Sequence, residues 1–155
     1  MIIGRTDKRA GNENGEQMAP KELQAKQLYE GQFLTILWDT PRRIIGIRWK
    51  PTTAEMTDED FKSALTVFAE HVERTCAEGI LVDVADFHYR MGPGVQEWRV
   101  KNISTRYSAA GVRRFAFLFP AGAEIPPMMN ESAAGESFLT QAFTSQEKAV
   151  AWLAS

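Results

Sequence analysis

Four side chains able to take part in chemistry crowd into one stretch. They are Asp83, Asp86, His88 and Arg90, inside Gly79-Ile80-Leu81-Val82-Asp83-Val84-Ala85-Asp86-Phe87-His88-Tyr89-Arg90-Met91-Gly92-Pro93-Gly94. Two carboxylates and an imidazole suggest proton transfer, and the imidazole also suggests a metal. The spacing favours neither. Asp83 and Asp86 are three residues apart, and an extended chain sends such a pair to opposite faces, so they make a poor general acid and base. Asp83 at a strand end reads as a hydrogen-bonding group for a neighbouring loop. Nothing gives His88 a partner at ligand spacing, and His71 lies in a helical pattern with no matching His or Glu, so no metal site is expected. Gly92-Pro93-Gly94 permits a close backbone approach at the mouth of a helix, where N–H groups beside Arg90 can hold a carboxylate or phosphate. It also reads as an ordinary loop-to-helix turn with proline near its first-turn place. The sequence has no G-x-G-x-x-G or G-x-x-x-x-G-K-[ST] phosphate cradle, no G-x-S-x-G elbow and no ordered serine triad, so no cofactor or covalent catalysis is expected.

The elements around this stretch follow from apolar spacing. Ile80 to Val84 is a continuous apolar run, typical of a strand covered on both faces. Residues 94–109 predict a helix with Val95, Trp98, Ile103 and Tyr107 on one side and Gly111 as its stop. Residues 57–77 predict the clearest helix. Thr57 and Asp60 have capping-box spacing, and Met56 and Phe61 have staple spacing. Phe61, Ala64, Leu65, Phe68, Val72 and Cys76 form its stripe, and Gly79 is expected to be the left-handed residue past its end. Cys76 is therefore expected as a packed thiol. Phe33 to Trp38 and Arg43 to Trp49 predict an antiparallel hairpin around Asp39-Thr40-Pro41-Arg42. Arg114 to Phe119 predicts another buried strand, and residues 120–136 a long connector with Met128 and Met129. Phe138 to Phe143 predicts a last strand. Thr144 and Glu147 form a second capping-box pattern before Ala149, Val150, Trp152 and Leu153. Residues 1–27 read as a polar tail or a partner-docking arm, with Lys21 to Tyr29 as a short helix after Pro20. The order β-β-α-β-α-β-loop-β-α implies an α/β fold with a largely parallel sheet.

The chain has 155 residues, enough for one domain with a real core. Its net charge of −2 gives no basic field for nucleic acid. Arg42, Arg43, Arg48 and Lys50, and also Arg99, Lys101 and Arg106, read as solvated faces among interleaved acids. No apolar run approaches the ~20 residues of a membrane span. Only Ile2 and Ile3 precede Arg5, Asp7, Lys8 and Arg9, so no secretory segment is expected. Cys76 is the only cysteine, which excludes an intrachain disulfide and suits a cytoplasmic location.

Four pieces resemble the SpoIIAA-like family of STAS-type domains, related in fold to lipid-carrying CRAL-TRIO domains. They are the opening hairpin, Ile80-Leu81-Val82-Asp83-Val84-Ala85-Asp86-Phe87, Gly111-Val112-Arg113-Arg114-Phe115-Ala116-Phe117, and Phe143-Thr144-Ser145-Gln146-Glu147-Lys148-Ala149-Val150-Ala151-Trp152-Leu153. The resemblance covers roughly residues 31 to 155. It implies a mixed, mostly parallel sheet of four or five strands with packed helices and an N-terminal antiparallel hairpin, in a single domain over residues 28–155. In anti-sigma-factor antagonists of this fold, a serine at the start of the helix after the third strand is phosphorylated. That place falls at Met91 to Gly94, and no serine or threonine stands between Cys76 and Ile103.

The expected function is a non-catalytic binding or regulatory module. It would hold a small amphipathic, lipid-like or anionic ligand at the switch-point loop after the third strand, with Asp86 and His88 in the loop. Arg90 and the Gly92 to Gly94 backbone would fix the polar end, and Trp98 and Met129 the apolar part. Trp38, Trp49, Phe87 and Tyr89 are further candidates for a pocket wall, or for core. The alternative is a protein–protein interaction module that engages a protein partner or a second copy as a homodimer.

Overall fold

Antiparallel pairing begins the sheet, and the turn that allows it is held by Asp39. Its carboxylate accepts from the Arg42 amide at 3.2 Å and pairs with the Arg42 guanidinium at 2.7 Å. Arg43 takes a left-handed conformation, φ 59°. This turn joins β2 (Leu34–Asp39) to β3 (Ile44–Trp49). The computed structural model describes residues 25–133 and 135–155. The tail or arm expected over residues 1–24 lies outside them.

The remaining elements are β1 (Lys26–Glu30), a 3₁₀ turn (Pro51–Glu55), α1 (Asp58–Thr75), β4 (Gly79–Asp83), α2 (Val95–Arg99), α3 (Thr105–Ala110), β5 (Arg114–Leu118), a second 3₁₀ turn (Pro127–Asn130), β6 (Leu139–Phe143) and α4 (Gln146–Ala154). The fold is α/β with a mixed sheet. The sheet has six strands rather than four or five, in the order β1-β2-β3-β4-β5-β6. The first two pairings are antiparallel and the last three parallel. The extra strand is β1, which occupies part of the stretch expected to be helical. Lys26 pairs with Trp38 and Gln27 with Leu37, and a bulge follows before Tyr29 pairs with Ile36. An open edge on β2 and the contact of the Tyr29 ring with His71 of α1 outweigh the helical pattern of these residues.

Each parallel step moves one strand in the same direction. Right-handed crossovers then all land on one face. Phe61, Leu65, Phe68 and Val72 of α1 share one core with Ile103 and Tyr107, over Ile45, Ile47, Ile80, Val82 and Phe115 of the sheet. Burying each large side chain of the α1 stripe stabilises the fold by about 1.5–3 kcal/mol. The opposite face carries a smaller core, where Ala149, Val150 and Leu153 of α4 cover Ile44, Leu81, Ala116 and Leu118.

The helix ends refine the sequence reading. Thr57 and Asp60 form the full capping box, each side chain accepting from the other's amide. The left-handed residue ending α1 is Cys76, φ 53°, not Gly79, which starts β4. This lifts Cys76 off the stripe, so its thiol is exposed rather than packed. Ser145, not Thr144, caps α4 by accepting from the Lys148 amide. Between α2 and α3 the helix widens into a π-type turn, Val100–Ser104. Trp98 and Ile103 are five apart, and the added residue in that turn keeps both on the sheet side.

Candidate functional site

The loop from Val84 to Gly94 leaves the carboxyl end of β4 and folds down onto the start of α1. Two polar side chains hold it. Thr53, fully buried in the 3₁₀ turn after β3, accepts from the His88 amide at 2.9 Å. Its hydroxyl proton can go to the Lys50 carbonyl at 2.8 Å or the Asp86 carbonyl at 3.0 Å. Asp58, in the first turn of α1, accepts from the Tyr89 hydroxyl at 2.6 Å and from the Gly92 amide at 3.2 Å. A Cβ at Gly92 would force the Asp58 carboxylate to shift. Gly94 is favoured for its φ of 80°. Burial first, then the bond to Asp58 and its charge, push the Tyr89 phenol up to about 12.

The aromatic residues of the loop point inward. The Phe61 and Tyr89 rings stack at 4.6 Å, and Phe87 packs on Trp49 at 4.9 Å. Trp38, Trp49 and Tyr89 are core side chains. The expected site residues do not all come together. Asp86, His88 and Arg90 are exposed together with Met91 on the outer side of the loop. Gly92 and Gly94 shape the step into α2. Trp98 is half-buried beneath the Lys62 ammonium, 5.5 Å from its ring centre. Met129 belongs to the second 3₁₀ turn, which packs on β6.

Among the described residues, this arrangement displays Asp86, His88, Arg90 and Met91 on the outer side of the loop. His88 is tied through its backbone amide, and among the described residues its ring has no bond to Asp83 or Asp86. The Asp83 carboxylate accepts from the Ala85 amide at 3.0 Å. Among the described residues, no three His, Cys, Asp or Glu side chains gather as metal ligands. The Gly92 amide, expected to face an anion, is already taken by Asp58. Glu97 adds a second carboxylate in the first turn of α2. The strand order never reverses, so β4 does not stand at a switch point. On the α4 side of the sheet, a concavity lined by Leu37, Gly46, Arg48, Leu81, Asp83 and Gln146 holds about 20 Å³, room for about one water.

Thr53 and Asp58 are the residues that sequence reasoning missed. A faint signal existed in Pro51-Thr52-Thr53, a proline-led turn directly after a strand, but nothing local names a partner 33 or 35 residues away. No helix among the described residues is long and apolar enough to cross a membrane. In comparisons with family models, curated proteins and solved structures, the chain matches none of them.

Proposed function

We propose that the protein is a non-catalytic, STAS-like protein-interaction module whose contact surface is the loop after β4. One observation carries this reading. The loop is pinned from beneath by Thr53 and Asp58 with its rings turned inward, while Asp86, His88, Arg90 and Met91 face solvent. A loop fixed in this way loses little conformational freedom on binding, which favours a specific contact. Met91, 43% exposed, supplies an apolar anchor among charges. The alternation of strands with amphipathic helices and the Ala-Trp-Leu helix end support the STAS-like assignment. The missing hydroxyl at Met91 to Gly94 makes this a module without the phosphoserine switch.

A small anionic ligand at the same loop must displace Asp58 from the Gly92 amide, which makes it the weaker reading. The test uses the immobilised full chain and a variant carrying Asp86→Ala, His88→Ala, Arg90→Ala and Met91→Ala. A protein partner held by the wild type and lost by the variant, at an unchanged melting temperature, supports the proposal. A lipid or metabolite that co-purifies, seen by native mass spectrometry and lost in the same variant, overturns it in favour of the ligand reading.

A further inference from the structure

The outer edge of β6 is closed by side chains instead of a strand. β6 is the last strand of the sheet. The Leu139 amide donates to the Arg113 carbonyl, and the Phe143 carbonyl accepts from the Phe119 amide, so these groups face inward toward β5. Alternation along the strand turns the Phe138 carbonyl, both backbone groups of Thr140 and the Ala142 amide outward. Two of these outward groups are covered by the segment before β6. Asn130 Oδ1 accepts from the Ala142 amide at 2.8 Å, and the Ser132 hydroxyl donates to the Phe138 carbonyl at 2.8 Å. The 3₁₀ turn Pro127–Asn130 packs on the same strand.

The covered donor and the covered acceptor are complementary to each other. If a second β6 lies antiparallel to the first, with a two-fold axis at Thr140, each Ala142 amide meets the Phe138 carbonyl of the other copy. The two Thr140 residues then exchange their own pair of bonds. Leu139, 61% exposed, comes to lie across the seam from Gln141 of the second copy. We propose that residues 127–132 form a removable strap on the β6 edge, and that the edge beneath it pairs with β6 of a second copy of this chain. Asn130 and Ser132 occupy the two atoms that the second copy needs, so strap and dimer exclude one another. An unpaired strand edge is an adhesive surface, and natural proteins cover such edges. Here the cover depends on two side-chain bonds, the Asn130 bond exposed to water and the Ser132 bond part-buried. The inference does not depend on what the loop after β4 binds.

Sedimentation of the full chain over a concentration series tests it. Asn130→Ala with Ser132→Ala frees the edge and is expected to tighten self-association by about tenfold or more, as for two released hydrogen-bonding groups. Adding Thr140→Pro should return that variant to monomer. The Thr140 amide faces away from β5, so proline there blocks a second copy and spares the β5 ladder. A double variant that sediments like wild type, or a dimer that survives the proline, overturns the proposal. If the double variant fails to fold, Asn130→Ala alone decides through amide exchange. The Ala142 amide should exchange faster than wild type in dilute solution and regain protection as concentration rises. Exchange equal to wild type at both concentrations refutes the strap.

Discussion

Replacing Tyr89 with phenylalanine removes one oxygen and leaves the ring on Phe61. The lost bond runs 2.6 Å to a carboxylate, a class worth about 1.5–3 kcal/mol. Asp58 keeps the Gly92 amide and its place in the first turn of α1, so no charge is orphaned. The expected cost of Tyr89→Phe near neutral pH is therefore roughly 1–2 kcal/mol. The same oxygen makes the fold sensitive to alkali. Burial and Asp58 raise the folded phenol from 10.0 to about 12, while the unfolded chain gives up its proton near the ordinary value. Between those pH values the folded state holds more protons than the unfolded one, so stability falls as pH rises. At about 1.36 kcal/mol per unit, and reduced by partial solvent screening, the loss is on the order of 1–3 kcal/mol. Tyr89→Phe has no such loss. The wild-type advantage is thus present in full below pH 10, shrinks through the window and vanishes or reverses near pH 12. Urea unfolding followed by tryptophan fluorescence at stepped pH measures both proteins, and ionisations common to both cancel in the difference. Two stability curves that stay parallel through the alkaline window would refute the reasoning, because the buried phenol would then contribute nothing to linkage.

Thr53→Val leaves the part-buried His88 amide without its acceptor and is expected to cost about 1–2 kcal/mol, with faster exchange of that amide by NMR. Gly92→Ala forces the Asp58 carboxylate aside and should cost on the order of 1–3 kcal/mol in urea unfolding, whereas Gly122→Ala, with open space around it, tests only its positive φ. Ser145→Ala should cost about 1 kcal/mol by loss of the α4 cap, and Thr144→Ala close to none; the reverse ranking would return the cap to Thr144. Cys76 should react with a thiol reagent in the native protein at the rate of an exposed cysteine, which a packed thiol would not do.

What could be read from the sequence was local. The α1 helix announces itself because Thr57, Asp60 and the Phe61–Leu65–Phe68–Val72 stripe lie within one stretch and all favour the same structure. The central strands β4 and β5 are continuous apolar runs that fit no exposed element. β1 was hidden because an edge strand with burial on only part of one side keeps polar residues such as Lys26, Gln27 and Glu30. Cys76 misled because its stripe position is apolar, yet the helix ends there in a left-handed turn. Arg43, just before the neighbouring strand β3, helps hold that turn by donating to the Cys76 carbonyl at 2.6 Å. The place of the loop was legible, since it follows a buried strand and opens a helix. Its character was not legible, because that is set by Thr53 and Asp58, which meet the loop only after β3, α1 and β4 have packed.

Strand order decides between a crevice and a platform. In a doubly wound sheet, two adjacent strands send their crossovers to opposite faces, and the gap between the departing loops becomes a ligand crevice. Here β3, β4, β5 and β6 follow one another without reversal, and α1 and α3 share one face. The loops leaving β3 and β4 must therefore turn the same way. The first becomes the 3₁₀ turn that carries Thr53, and the second comes to rest on it. No gap opens between them, so the inner surface of the β4 loop is spent on Phe61, Trp49 and the two polar pins. Only the outer surface remains, with Asp86, His88, Arg90 and Met91. On the proposed reading, the protein partner supplies the concavity that this outward surface lacks.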